Sequence, residues 1–286
     1  MTAQRVFAPI GVFDSGVGGL TVLRALRRHL PAEDLIYLGD TARVPYGTKS
    51  AASVARYAVQ AASLLVAREV KFLVIACNTA SAVGLELLRE TYAGVPVEGV
   101  IEPGAQASCA ATRNGHIAVI GTESTIAGGA YQRAIHALRP DVEVTGRACS
   151  LLVALAEEGW VEGEIPEAVV RTYLAPLFAD DVHRPDTLVL GCTHFPALAG
   201  PIRRVVGTGV AIVDSAETTA AVVRRELAAA GLLRTDRAAG GATQFLVTDA
   251  PLRFARVAET FCGQPLAPDD VELVDLPAVA LSAAVP

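Results

Sequence analysis

Short apolar runs of strand length alternate with segments of helical periodicity along most of this chain. "PIGVF" leads into Asp14, and "GGLTVLRALRRHLP" then repeats leucine at helical spacing until Pro31. "LIYLGD" is a predicted second strand, "SVARYAVQAASLLVARE" a second helix and "KFLVIAC" a third strand. Helices between consecutive apolar strands imply a parallel sheet that is covered on both faces. The sequence therefore predicts an α/β fold.

The same pattern restarts near residue 116, which indicates an internal duplication. "HIAVIGTEST" repeats the order of "PIGVFDSGVG", the helical "GGAYQRAIHAL" follows, and "TLVLGC" takes the place of "KFLVIAC". A length of 286 residues suits two domains. We therefore predict two similar three-layer α/β domains with mainly parallel sheets, facing each other across a cleft.

Composition and charge exclude several classes of protein. A hydrophobic content of 52% and a mean hydropathy of +0.41 exclude a disordered chain. No apolar run reaches the roughly 18 residues of a spanning helix, and the N-terminus reaches Asp14 before an apolar signal core forms. We expect a cytoplasmic protein without membrane association. The net charge of −6, without clustered Lys and Arg, predicts no nucleic-acid binding.

Two of the five cysteines occupy matching places. The number is odd and no C-x-x-C pair exists, so neither a disulfide framework nor a zinc knuckle is predicted. Cys77 and Cys192 each follow a predicted strand and lead into a polar turn. Ligands of α/β sheets bind beyond the carboxyl ends of the strands, where Asp14 and Thr122 are also expected. The remaining cysteines, Cys109, Cys149 and Cys262, are predicted to be packing residues.

Two thiols on opposite sides of a ligand can invert a stereocentre, because one removes a proton and the other returns one. The ordinary thiol pKa of about 8.5 makes both protonation states accessible. His194 is a predicted proton partner of Cys192, and Asp14 either increases the basicity of a thiolate or holds a substrate ammonium group. The alternatives are that each cysteine is a small core residue and that Asp14 with Ser15 caps the first helix.

The predicted ligand is a small anion held by neutral donors. "DSGVGG" fails the dinucleotide pattern because Thr21 replaces its last glycine. Backbone N–H groups at helix starts bind carboxylates, and the turn at Tyr46 and Gly47 offers more of them. Side-chain donors come from Asn78, Thr79, Thr122, Thr125 and Thr193, so that no arginine is required. No cofactor is expected. Pyridoxal phosphate needs a Schiff-base lysine, and Lys49, in the polar turn, is the sole candidate of the two lysines in the chain. No metal is expected, because the five histidines lack ligand spacing.

The motifs "GVFDSGVGGLTVL", "GDTARVPYGTKS", "ACNTASA", "VIEPGA", "IGTESTI", "GCTHFP" and "VDSAETTA" resemble those of the glutamate racemases, within the aspartate/glutamate racemase superfamily. The resemblance runs from about residue 10 to residue 266. It implies interconversion of L- and D-glutamate without a cofactor, to supply D-glutamate for peptidoglycan. It also implies a homodimer.

The resemblance assigns roles residue by residue. Cys77 is implied to act on the D-enantiomer and Cys192 on the L-enantiomer, and Glu157 is implied to be an auxiliary acid. The motif around Glu157 departs from the family pattern, which leaves Glu158 as an alternative. The residues implied to contact substrate or to tune the thiols are Asp14, Ser15, Pro45, Tyr46, Gly47, Asn78, Thr79, Thr193 and His194. The first domain is expected to comprise residues 1–99 and 214–286, and the second residues 100–213.

Three other functions fit parts of this pattern. Another member of the superfamily would racemise aspartate or a hydantoin. An amino-acid sensor would also have two α/β lobes around a cleft, but it would not need paired thiols. A Cys-His hydrolase would use Cys192 as its nucleophile and would leave Cys77 without a role.

Overall fold

The computed structural model describes residues 3–179, 183–237 and 240–277. The strands in these ranges are β1 (Ile10–Asp14), β2 (Leu35–Gly39), β3 (Phe72–Ile75), β4 (Val97–Gly99), β5 (His116–Gly121), β6 (Glu143–Ala148), β7 (Thr187–Gly191), β8 (Ala211–Asp214), β9 (Thr243–Val247) and β10 (Val271–Leu273). The α-helices are α1 (Leu20–His29), α2 (Ala51–Ala67), α3 (Asn78–Thr91), α4 (Ile101–Ala111), α5 (Glu123–Ala127), α6 (Ala130–Leu138), α7 (Ser150–Glu157), α8 (Glu164–Leu174), α9 (Ala199–Val206), α10 (Ser215–Ala229) and α11 (Pro251–Cys262). Short 3₁₀ helices cover Ala3–Phe7, Thr41–Arg43, Tyr46–Thr48, Ala175–Phe178, Phe195–Leu198 and Pro268–Asp270.

The strands form two sheets in which every neighbouring pair is parallel. Among the described residues, the larger sheet has the order β10-β9-β2-β1-β3-β4 and the smaller has the order β6-β5-β7-β8. The predicted α/β fold with parallel sheets is confirmed. The order β2-β1-β3-β4 recurs as β6-β5-β7-β8, so the predicted equivalence of β1 with β5 and of β3 with β7 is also confirmed.

The continuous apolar runs of the sequence are the central strands of the two sheets. Every residue of β1, β3 and β7 is buried, because helices cover both faces of each sheet. The edge strand β6 has no such run, and its residues alternate between exposed and half-buried positions. Because β1 pairs with β3, and β5 with β7, the residues that follow each strand pair emerge together at the carboxyl ends of its strands.

The helix that follows β1 starts later than a cap by Asp14 or Ser15 would require. Helix α1 begins at Leu20, its N-cap is Gly19, and no side chain caps it. The Asp14 carboxylate instead accepts a hydrogen bond from the backbone N–H of Gly16. The alternative reading of Asp14 and Ser15 as helix caps is therefore wrong, because a turn separates them from the first helical residue.

The chain crosses between the sheets twice. It leaves the larger sheet after β4, and α10 returns from β8 to pack against α1 and α4. Domain boundaries near residues 99 and 213 remain a prediction, and residues 278–286 of the first predicted domain lie outside the described ranges. None of the described helices combines the length and the apolar character that a membrane crossing requires.

Candidate active site

A cavity of about 400 Å³ opens between the sheets at the carboxyl ends of the central strands. This volume suits a small-molecule ligand. The predicted site residues that line it are Ser15, Pro45, Tyr46, Gly47, Cys77, Asn78, Thr79, Thr122, Glu157, Cys192, Thr193 and His194. The other two predicted residues, Asp14 and Thr125, are buried beside the cavity and are not part of its lining. The fold therefore brings Cys77 and Cys192 to one cavity from different sheets.

Cys77 lies at the start of α3 in a setting that favours the neutral thiol. Its Sγ accepts a hydrogen bond from the N–H of Ala80 at 3.5 Å and donates one to Ser15 Oγ at 3.4 Å. Burial, reinforced by the negative charge of Asp14, raises the pKa of Cys77 to about 12. In the free protein at neutral pH, Cys77 is therefore a proton donor.

Cys192 lies next to the imidazole of His194, whose other nitrogen contacts Glu157. His194 Nδ1 lies 3.6 Å from Cys192 Sγ, and its Nε2 lies 3.2 Å from Glu157 Oε1. Burial alone would lower the pKa of His194, but its contacts with Cys192 and Glu157 outweigh burial and raise the pKa to about 10. The ring is therefore an imidazolium at neutral pH, and its Nδ1–H can stabilise a Cys192 thiolate.

The structure distinguishes Glu157 from Glu158. Glu157 is half-buried, and besides His194 it contacts Arg253, with 3.1 Å between Oε2 and the guanidinium. The hydrogen bond with His194, followed by the charges of His194 and Arg253, lowers the pKa of Glu157. Glu158 is exposed at the C-terminal end of α7 and does not line the cavity. Of the two acids, only Glu157 contacts His194.

Asp14 is a buried carboxylate close to the first thiol. Its Oδ2 accepts hydrogen bonds from the Gly16 N–H at 2.9 Å and from the Tyr37 hydroxyl at 3.4 Å, whereas its Oδ1 has no partner among the described residues. Burial raises the pKa of Asp14, against the opposing charge of His194 and the backbone hydrogen bond from Gly16. An unpaired carboxylate oxygen here can accept a hydrogen bond from a cationic ligand.

Amide and hydroxyl groups occupy the remaining wall. Asn78 Oδ1 accepts a hydrogen bond from the Tyr131 hydroxyl at 2.8 Å, which leaves its buried Nδ2 without a partner in the described structure. The hydroxyls of Thr79, Thr122 and Thr125 lie 3.0–3.2 Å from one another. Thr79 follows a strand of the larger sheet and the other two follow β5, so these contacts join the two sides of the cleft.

Two glycines are required where the two sides of the cleft meet. A Cβ atom on Gly18 would lie 2.4 Å from His194 Nδ1 and 2.5 Å from Thr193 Oγ1. A Cβ on Gly47 would lie 2.7 Å from Thr122 Cβ. These distances are too short for any side chain, so the backbone approaches the opposite side as closely as glycine allows.

Three residues of the site were missed by the sequence analysis. Arg253 on α11 lines the cavity and contacts Glu157, and the sequence pattern did not predict a guanidinium here. That the ligand is held without a necessary arginine stays a prediction. Tyr37 supports Asp14, and Tyr131 supports Asn78. These residues act across elements that are distant in sequence, and no local motif marks them.

The remaining cysteines and Lys49 do not line the cavity, whereas the turn at Tyr46 does. Cys109, Cys149 and Cys262 pack in apolar clusters, as predicted. Lys49, the candidate Schiff-base lysine, is not among the residues that line the cavity. The Tyr46 hydroxyl is already bound by Asp40, which leaves the backbone of the Tyr46–Gly47 turn to face a ligand.

This arrangement can remove a proton from one face of a bound carbon acid and return a different proton to the opposite face. One side of the cavity presents a thiol that holds its proton, and the other presents a thiol beside an imidazolium. Asn78 Nδ2 and the first N–H groups of α3 can hold a carboxylate, and the charge of the buried Asp14 acts on the first thiol. The chemistry that fits is acid–base catalysis on a small amino acid.

Comparisons with known proteins agree with this chemistry. The sequence profile of the family described as Asp/Glu/hydantoin racemase matches residues 10–223. A glutamate racemase of Geobacter metallireducens is 52% identical over 269 residues, which cover 94% of this chain and 97% of that protein. The crystal structure of a glutamate racemase from Francisella tularensis in complex with D-glutamate superposes with a TM-score of 0.86 at 37% identity, over 94% of this chain and 98% of that one. A glutamate racemase structure from Thermus thermophilus, in complex with beta-chloro-D-alanine, has a TM-score of 0.84 at 45% identity, over 95% of this chain and 98% of that one.

Proposed function

This chain belongs to the Asp/Glu/hydantoin racemase family, and on that premise we propose that it interconverts L-glutamate and D-glutamate by two-thiol proton transfer without a cofactor. The observation that carries the proposal is that Cys77 and Cys192 line one cavity from equivalent strand ends of two sheets. Glutamate is favoured over aspartate and hydantoins by the relatives, whose names specify glutamate at up to 52% identity.

In the proposed reaction from L- to D-glutamate, the Cys192 thiolate removes the proton from Cα. The Cys77 thiol donates its proton to the opposite face of the same carbon. The reaction from D- to L-glutamate uses the same groups in exchanged roles. Support for this order comes from the protonation states of the free protein, in which His194 is an imidazolium beside Cys192 and Cys77 retains its proton.

The carbanion formed at Cα needs stabilisation that the cavity is equipped to provide. Hydrogen bonds to the α-carboxylate, from Asn78 Nδ2 and from the start of α3, would strengthen as negative charge moves onto its oxygens. Asp14 would hold the ammonium group beside Cys77. Arg253 contributes a guanidinium to the cavity lining and, after His194, helps to lower the pKa of Glu157.

Turnover of L-glutamate in D₂O without added cofactor tests the proposal directly. We expect deuterium to enter the product at Cα, because the group that returns the proton has exchanged with solvent. Circular dichroism follows the loss of the L-glutamate signal, and NMR follows loss of the Cα proton signal. Racemisation of aspartate or a hydantoin at a higher kcat/KM than glutamate would refute the assigned substrate. An acyl-enzyme on Cys192 without deuterium uptake would favour the hydrolase.

Substitutions at Glu157 and Glu158 form a matched test of the acid that contacts His194. Glu157→Gln should lower kcat/KM by about 10- to 100-fold, because a charged hydrogen bond that keeps His194 protonated contributes about 1.5–3 kcal/mol. Glu158→Gln makes the same change one residue later, on an exposed side chain, and should change kcat/KM by less than about twofold. Racemisation rates from circular dichroism decide the question, and equal losses in both variants would contradict the role of Glu157.

The cellular role is a further part of the proposal. We propose that the product supplies D-glutamate for peptidoglycan in the cytoplasm, and that the protein acts as a homodimer whose domains divide near residues 99 and 213. These statements rest on the resemblance of the sequence motifs. Growth of a D-glutamate-requiring bacterium that expresses this chain tests the role, and sedimentation equilibrium tests the dimer.

A further inference from the structure

Two histidines and a glutamate meet at the end of the smaller sheet that lies away from the cavity. His116 is the first residue of β5, and Glu143 is the first residue of β6 and its partner in register. His183 lies in the segment that precedes β7. The six residues of β5 separate His116 from Thr122 by about 20 Å at the usual rise of a strand. This cluster is therefore independent of the reacting thiols.

The distances within the cluster resemble those between the ligands of one metal ion. Glu143 Oε2 lies 3.3 Å from His116 Nδ1 and 3.4 Å from His183 Nδ1. Ligand atoms at about 2.0–2.1 Å from a tetrahedral Zn²⁺ are separated by about 3.3 Å. The three ligand atoms all lie within 4.8 Å of one another. The two distances between Glu143 and the histidines therefore already match those between tetrahedral ligands. A rotation of the exposed His183 ring would bring its Nδ1 to the same distance from His116 Nδ1.

The surroundings of His116 Nδ1 suit a bound cation. This nitrogen is shielded from solvent and makes no hydrogen bond within the described part of the chain, although it faces the Glu143 carboxylate. A carboxylate oxygen is an acceptor only, so the nitrogen that faces it must either carry an N–H or share a metal ion with it. His183 directs a second Nδ1 to the same oxygen atom, which favours an ion that accepts three ligands over a single proton.

The segment before β7 is held in place by its own hydrogen bonds. The Asp186 carboxylate accepts hydrogen bonds from the Thr112 hydroxyl at 2.7 Å and from the N–H groups of Arg113 and Asn114 at 2.7 and 2.9 Å. The Asn114 side chain donates to the carbonyl of Arg184 at 3.0 Å. These contacts position the backbone next to His183 and therefore lower the cost of ordering the third ligand.

We propose that His116, Glu143 and His183 bind one Zn²⁺ ion or a divalent transition-metal ion of similar chemistry. Imidazole nitrogen with one carboxylate oxygen is a donor set that suits zinc. The ion would fasten the segment before β7 to the ends of β5 and β6, and water would complete its coordination. The ligands are far apart in the sequence, which is why the prediction of no metal, based on local spacing, did not consider them.

The competing zinc site is the catalytic pair Cys192 and His194, so the test must separate sulfur from nitrogen ligands. Zinc titration of the full chain by calorimetry should show a site that survives in a Cys77→Ser/Cys192→Ser double variant. X-ray absorption of the zinc-loaded double variant should give only nitrogen or oxygen neighbours at about 2.0–2.1 Å, without the zinc–sulfur distance of about 2.3 Å.

Variants of the three ligands complete the experiment. His116→Ala, His183→Ala and the conservative Glu143→Gln should each weaken zinc binding by about tenfold or more, because loss of a ligand costs at least as much as loss of a group that supports one. His29→Ala is the matched control, because His29 also contacts a glutamate, Glu217 at 3.2 Å, but without a second histidine. Circular dichroism spectra confirm that each variant is folded. Unchanged binding in all three variants, or no binding by the double variant with zinc in excess, would overturn the proposal.

Discussion

Cys77→Ser and Cys192→Ser should each abolish racemisation, with a loss of about 10³-fold or more in kcat for both directions. A serine hydroxyl has a much higher pKa than a thiol, so neither proton removal nor proton return remains possible at that face of the substrate. General acid–base groups contribute about 10²–10⁴-fold each, and the proposed reaction needs both in every turnover.

The remaining thiol in each variant gives a more specific result than the loss of activity. Cys77→Ser retains Cys192 and should exchange the Cα proton of L-glutamate with D₂O, or eliminate a leaving group from a β-substituted L-analogue. Cys192→Ser should do the same with the D-enantiomer only. NMR of each pure enantiomer in D₂O measures both exchange rates.

Cys109→Ser is the control, because Cys109 is half-buried in an apolar cluster away from the cavity. It should racemise glutamate at nearly the rate of the unaltered protein. Full racemisation by either active-site variant would contradict the two-thiol proposal. Exchange of both enantiomers by a single-thiol variant would contradict the assignment of one face to each cysteine.

The second large effect is expected from Gly18→Ala, which adds one methyl group. The new Cβ would lie 2.4 Å from His194 Nδ1, the atom that faces Cys192. His194 cannot move away freely, because its ring packs edge-on against Phe261, with 5.2 Å between the ring centroids, and because Glu157 contacts its other nitrogen. Either the imidazolium moves away from the thiol or the two sides of the cleft separate. A displacement of about 1 Å in such a group can cost about 10²-fold in rate.

We therefore expect Gly18→Ala to lower kcat by about 10²-fold and to lower the free energy of unfolding by about 1–3 kcal/mol, as overpacking does. Gly209→Ala is the matched control, because no atom lies within 4 Å of the Cβ it would introduce. Racemisation assays and urea unfolding of both variants provide the comparison. An unchanged kcat in a folded Gly18→Ala protein would show that the spacing between Gly18 and His194 is not important for catalysis.

The sequence predicted those parts of the molecule that depend on local order. Apolar runs identified β1, β3, β5 and β7, and the residues that follow them line the cavity because parallel strands end at one edge of a sheet. Cys77 and Cys192 could be paired before the structure was known, since each follows the same type of strand and precedes a polar turn.

Contacts between distant elements could not be predicted in this way. Arg253 reaches the cavity from α11, and Tyr131 reaches Asn78 from α6. Neither position differs in local pattern from an ordinary surface or core residue. The helix cap at Asp14 was wrong for a related reason: α1 begins only at Leu20, and the hydrogen bond from Thr21 to the Thr193 carbonyl across the cleft has no local signal.

The two thiols occupy equivalent places in a repeated strand order, yet their neighbours are a buried carboxylate on one side and an imidazolium on the other. Enantiomers have equal free energies in water, so the equilibrium constant of the proposed reaction is unity and kcat/KM must be identical in the two directions at every pH. The unequal settings can therefore change KM and kcat only in proportion. Whichever enantiomer this cavity holds more loosely must be converted correspondingly faster.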